Sequence, residues 1–123
     1  MAISRIAEIL ETLAPVSVAP ANQASVNAYA DVVGSKLDSQ GKTRVVYTIL
    51  NAHAANALKW KVLASVDDVT YVEVEAEAEV VATASSSWVA DATETSYRYF
   101  KVQIKSSLAG TPGMAQVRGY AKM

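Results

Sequence analysis

The densest set of groups able to do chemistry lies in "KWKVLASVDDVTYVEVEAEAEV", residues 59–80. Asp67 and Asp68 sit side by side in a short turn, and Glu73, Glu75, Glu77 and Glu79 follow at every second position. Carboxylates in such number suggest a calcium site first. Calcium takes six to eight oxygens converging on one point. A strand does the opposite: alternate side chains project from one face, about 7 Å apart. A bare ladder of acids at that spacing repels itself. The same sequence supplies a remedy, because Lys59 and Lys61 precede the turn and Lys101 and Lys105 lie on a later segment with the same alternation. Cross-strand Glu–Lys pairing is therefore the favoured reading of the ladder, with a metal site as its competitor. Both aspartates are expected to cap the turn through their side chains.

His53, in "NAHAAN", is the one histidine, and no Ser, Cys or carboxylate stands at a motif spacing from it. It is expected to be a loop histidine and not a general base. Trp60, Trp88, Tyr97 and Tyr99 could together form a stacking platform for sugar. Trp60 is in phase with Val62 and is expected in the core, whereas Trp88 and Tyr99 are candidate interface aromatics. "AGTPG" has neither the spacing nor the Lys of a phosphate loop. There is no cysteine, which rules out disulfides, a thiol nucleophile and thiolate-ligated zinc. No catalytic residue, cofactor or metal is expected.

The elements that would position these groups are mainly strands. Segments 43–51, 58–65, 71–80, 83–90, 97–107 and 115–122 alternate or are β-branched, with short polar connections, and "YADVV" (29–33) is a possible first strand. In 71–80, Val72, Val74, Ala76, Ala78 and Val80 should share the face opposite the glutamates. Residues 52–57 form a connection with room for one helical turn. The fold expected is all-β: an antiparallel, jelly-roll-like sandwich of six or seven strands, preceded by a short N-terminal helix or extended arm. The boundary is placed at 28/29, with 1–28 as the arm and 29–123 as the body. Within the arm, Ile3, Ile6, Leu10 and Leu13 fall on one helical face, and Pro15 ends that helix. Residues 14–28, with Pro15, Val16, Val18 and Pro20, should run extended along a surface.

The chain's 123 residues suit one domain. Eleven basic and twelve acidic side chains leave a net charge of −1, so nothing draws it electrostatically to nucleic acid or anionic lipid. No apolar run approaches the roughly 20 residues needed to cross a membrane as a helix. Glu8 and Glu11 interrupt what would be the apolar part of an export signal.

Two resemblances follow from these residues. Ser65-Val66-Asp67-Asp68 leading to Tyr71, with Tyr97-Arg98-Tyr99 opening a later strand, resembles discoidin-like modules of the galactose-binding fold. There the Ser and Asp close the turn, and a Gly usually stands where this chain has Asp68. The resemblance implies a sandwich and, as an alternative function, a glycan-binding module of a tail or cell-surface assembly. A short arm before a cysteine-free, Ala/Val/Ser/Thr-rich β-domain, ending in "YRYFKVQIKSSLAGTPGMAQVRGYAK", resembles bacteriophage capsid decoration or cement proteins. That likeness implies a non-enzymatic protein of the virion, made in the host cytoplasm. Its partners would be the major capsid protein or other virion subunits and sister copies, with a trimer favoured. A tail or neck component is a further structural possibility. The arm residues Ile3, Ile6, Leu10, Leu13, Pro15, Val16, Val18 and Pro20 would make the contact. On that reading, removing residues 1–20 should leave the β-domain folded and abolish assembly.

Overall fold

A computed structural model describes residues 14–123. The strands are β1 (Val16–Val18), β2 (Gln23–Ala24), β3 (Ala30–Asp31), β4 (Leu37–Asp38), β5 (Arg44–Asn51), β6 (Leu58–Ser65), β7 (Val72–Val80), β8 (Ser85–Val89), β9 (Tyr99–Ser106) and β10 (Met114–Lys122). The helix expected over Ile3, Ile6, Leu10 and Leu13 lies outside the described residues.

Every strand pairing is antiparallel. The first sheet runs β1-β10-β5-β8, with β2 also on β10; the second runs β3-β9-β6-β7, with β4 also on β9. β1 and β2 lie end to end along β10, interrupted around the buried Pro20. β3 and β4 lie end to end along β9, interrupted at Gly34, whose φ of +84° is available to glycine without strain. Taken as single strands, these pairs leave, among the described residues, eight strands that alternate between two sheets except at β6 and β7, which are neighbours in the second. The first sheet holds them in the order first-eighth-third-sixth and the second in the order second-seventh-fourth-fifth. This is a jelly roll, as expected.

Alternation produces the core. β5 turns Val45, Tyr47 and Ile49 inward, β6 Leu58, Trp60, Val62 and Ala64, β9 Phe100, Val102 and Ile104, and β10 Ala115, Val117 and Ala121. Tyr47 ties the layers together: its hydroxyl donates to the carbonyls of Ser35 at 2.6 Å and Phe100 at 3.0 Å, both on the opposite sheet's side. Gly119 on β10 leaves room for that ring. A Cβ there would lie 2.6 Å from Tyr47 Cε1 and 2.8 Å from Val18 Cγ2.

Three expectations change. The separate arm over 14–28 is instead β1 and β2 of the first sheet. Val16 and Val18 pack against the core, and Pro20 is buried. A segment with this many apolar side chains gains by covering a sheet edge. The sandwich thus begins by Val16, not at residue 29, and removal of 1–20 would delete a strand. The strict alternation of β7 also fails. Opposite β6 it has register shifts between Trp60 and Val62 and between Val62 and Leu63. Two extra residues on this edge strand rotate its pattern, so Val72 and Ala76 are exposed while Glu75 is half-buried. Finally, the polar connection between "YADVV" and segment 43–51 contains β4, with Leu37 in the core.

Candidate functional site

The outward face of the second sheet carries the acid ladder, and the structure gives most of it partners. Lys61 Nζ meets Glu73 at 2.7 Å, Lys59 meets Glu77 at 3.0 Å, and Lys105 reaches Glu77 at 3.8 Å. Ser107 donates to Glu79 at 2.9 Å. The lysines come from β6 and β9, which flank one another, so their outward residues reach the edge strand together. Exposed pairs of this kind are individually weak, and their effect is to neutralise the ladder and fix side chains.

Tyr29 organises the face. Lys61 and Lys105 place their ammonium groups 4.2 and 5.1 Å from its ring centre, and its hydroxyl donates to Glu77 at 2.6 Å. That hydroxyl bond, followed by Lys59, holds the Glu77 carboxyl below its ordinary range. Burial, then Glu77, pushes the Tyr29 phenol up. Sequence reasoning missed Tyr29 as a site residue. The available signal was its spacing of two from Asp31, which puts both on one strand face.

At one end of this face the turn after β6 closes as the discoidin-like resemblance implies. Ser65 Oγ accepts from the amides of Asp67 and Asp68 and donates to Asp67 Oδ1. Asp67 Oδ1 also accepts from the amides of Val69 at 2.9 Å and Thr70 at 3.0 Å. These backbone bonds, Thr70's first, keep the Asp67 carboxyl below its usual value. Asp68 departs from expectation. It occupies φ +62°, the left-handed position where Gly is usual and Asp is tolerated. Its carboxylate does not cap the turn. It binds Lys36 Nζ at 2.8 Å and accepts from the Tyr71 hydroxyl, and these bonds, Lys36's first, lower its pKa. The two aspartates are thus committed to different partners and do not converge. Among the described residues no group of three or more His, Cys, Asp or Glu can hold a metal.

Between this turn and the β3–β4 bend lies an open cleft of about 410 Å³, lined by Asp31, Gly34, Lys36, Asp68, Tyr71 and Lys101 among others. Its charges cancel in pairs: Lys36–Asp68 spans the two walls, and Asp31 meets Lys101 at 3.1 Å. Burial alone would raise the Asp31 pKa, and hydrogen bonds from Gln103 and Lys101 outweigh it, leaving it lowered. Lys101 stands 4.3 Å over the Tyr71 ring. A ligand here would have to exchange these contacts for its own.

The remaining candidates fall elsewhere. Trp88 is a core residue, 5% exposed, stacked 6.4 Å from Tyr47 and tilted against Phe100 at 5.9 Å. It cannot serve as an exposed interface aromatic on this surface, because its place on β8 faces inward. Tyr99 is half-buried with Arg98 5.2 Å from its ring, on the opposite sheet from Trp88. The two therefore do not form a common platform. Tyr97 packs against the core, and Trp60 is buried in it, its Nε1 without an acceptor among the described residues. His53 holds a loop: its Nδ1 accepts from the amides of Ala55 and Asn56 at 3.0 and 2.9 Å, which places its ring proton on Nε2. Of the arm residues, Pro15 is exposed, Val16 and Val18 are half-buried on β1, and Pro20 is enclosed.

No protein-family model matches the chain, and no curated protein matches it. Solved structures do resemble it in fold. The SPBc2 prophage-derived protein YomS superposes with a TM-score of 0.59 at 11% identity, over 89% of this chain and 94% of that one. A chain from disulfide-linked pili, the endospore appendages of Bacillus, gives 0.52 at 14% identity, over 89% and 88%. The VP2 subviral particle of infectious bursal disease virus gives 0.53 at 10% identity, where this chain spans 32% of the longer one. At these identities the likeness is one of fold.

Proposed function

We propose that this protein is a non-enzymatic structural subunit of a bacteriophage particle, acting as a capsid decoration or cement protein. The body is the jelly roll, and residues 1–13 are the segment that reaches to the shell or to sister copies. The observation that carries this reading is how the start of the chain is mounted. β1 pairs along β10 from Val16↔Ala121 to Val18↔Gly119, so the segment carrying Ile3, Ile6, Leu10 and Leu13 departs from a fixed point on a sheet edge. An apolar-faced segment of this length is marginal alone in water and gains order from a partner. Anchored to a rigid body, it raises the effective concentration of that contact.

The fold likeness to a prophage-derived protein and to a particle-forming VP2 chain supports the setting. The pili whose subunit shares the fold are disulfide-linked, whereas this chain has no cysteine. No assembly it makes can rest on disulfides of its own. Most of the carboxylates on the outward face of the second sheet are engaged within the chain, as suits a surface that remains in solvent beside many copies.

The test is removal of residues 1–13, which spares β1. The truncated chain should melt cooperatively with a strand-rich circular dichroism spectrum, and should no longer bind phage shells. Undiminished shell binding would overturn the assignment of the contact to this segment.

A further inference from the structure

β8 lies at the edge of the first sheet and pairs on one side only, with β5, among the described residues. Which of its backbone groups face outward follows from the ladder. Asn51 donates to the carbonyl of Ala84 and Ala90 to that of Val45, both at 2.9 Å. In an antiparallel pair, bonded and non-bonded residues alternate. Ser86 and Trp88 therefore direct their N–H and C=O groups to β5, while Ser85, Ser87 and Val89 direct theirs away from it. All three are exposed, Val89 at 63%.

Such a row is a template for another strand unless something guards it. The other edges are guarded. β1/β2 and β3/β4 consist of pieces of two or three residues, broken at Pro20 and Gly34. β7 is long, but it carries two register shifts and a glutamate at every second position. β8 has no such device. Its register with β5 is unbroken, and residues 81–90, "VATASSSWVA", contain no charge and no proline. It is also held rigidly, because Trp88 anchors it between Tyr47 and Phe100.

We propose that the β8 edge pairs with the β8 edge of a second copy of this chain, the strands meeting antiparallel about Ser87 and joining two first sheets into one. Centred there, Ser87 faces its own counterpart, and Ser85 and Val89 face each other, so all outward N–H and C=O groups find partners. No like charges meet, since Asp91 falls opposite Thr83. The alternative pairing of β7 with β7 would set glutamate against glutamate. The outer face agrees. Tyr120, Val46 and Val89 form one row across the sheet, ending at the edge with Tyr120 40% and Val89 63% exposed. Across the two-fold axis Val89 meets Ser85, whose neighbour on β5 is Leu50, so the apolar row continues into the second copy.

The edge can be tested separately from residues 1–13. Ser87→Pro removes an N–H that β5 does not use, and Ser87→Lys sets two ammonium groups face to face on the axis. Sedimentation equilibrium on the full chain should show association. Both variants should weaken it by roughly tenfold or more in dissociation constant, with melting of the dilute protein unchanged. Amide exchange at Ser85, Ser87 and Val89 should slow as wild-type concentration rises. A wild-type chain that stays monomeric, association unaffected by both variants, or fast exchange at these amides in the associated state would overturn the proposal. Association lost on removing 1–13 but indifferent to residue 87 would overturn the edge and leave the function proposed above standing.

Discussion

Gly119→Ala tests how the start of the chain is joined to the body. The added methyl carbon would sit 2.6 Å from Tyr47 Cε1 and 2.8 Å from Val18 Cγ2, closer than Cβ atoms come to other groups, and 3.0 Å from Tyr47 Cδ1. Tyr47 has little freedom to yield. It is fully buried, its ring is stacked on Trp88, and its hydroxyl is held by two carbonyls of the other layer. Overpacking of this kind costs about 1–3 kcal/mol. If the ring shifts and its hydroxyl loses those carbonyls, a further cost of about 1–2 kcal/mol follows. Val18 is the softer neighbour, since it is half-buried on a three-residue edge strand. The expected route is therefore displacement of β1, at a total of about 2–3 kcal/mol. In a chain of this length that lowers Tm by roughly 6–15 °C. Urea unfolding followed by tryptophan fluorescence would measure it, and amide exchange at Ser17 and Val18 would report the loosened strand. Adding Val18→Ala should recover part of the loss, a non-additivity that marks a shared contact. A Gly119→Ala chain that melts within 1–2 °C of the parent, roughly the noise of an unstrained surface change, would refute the reasoning. So would a double variant whose losses simply sum.

Other outcomes follow from the same structure. Tyr47→Phe should cost about 1–2 kcal/mol in urea unfolding, because two buried carbonyls lose their donor and gain no water. Trp60→Phe should cost under about 1.5 kcal/mol despite the site's complete burial, because it also removes an indole N–H that has no acceptor among the described residues; a loss above about 4 kcal/mol would refute that reasoning. Towards acid, Asp38, Asp67, Asp68 and Glu77 have folded pKa values below their unfolded ones. The stability they add is present above the unfolded value, 3.8 for the aspartates, and is lost as pH falls through the folded values, so Asp67→Asn should flatten the acid limb of a Tm–pH curve. Towards alkali the sign reverses: Tyr29, Tyr47 and Tyr71 have raised folded values, so their contribution is complete below the ordinary value of 10.0 and fades above it. Ultraviolet titration should show these three of the six tyrosines ionising late, together with unfolding.

Much of the architecture was legible because alternation is a local property. The inward sets of β6 and β9, Leu58-Trp60-Val62-Ala64 and Phe100-Val102-Ile104, could be read directly, and so could the Lys–Glu pairing they impose on the outer face. The turn at Ser65–Thr70 was legible for the same reason, since its partners lie within five residues. Trp88 was misread because three serines before it mask the phase that puts it inward. β7 was misread because a bulge is set by the partner strand and leaves no mark on a perfect alternation.

By itself, then, the sequence determined the fold class, the polarity of the faces of β6 and β9 and the closure of the acidic turn by Ser65 and Asp67, all consequences of neighbours along the chain. Only the tertiary structure decided that residues 16–24 belong to the body and that Asp68 serves Lys36 and Tyr71 instead of its own turn. It also decided that β8, alone among the described edges, presents an unbroken and uncharged row. Each of these depends on which distant strands lie side by side, and strand order is set by the packing of two sheets on one core.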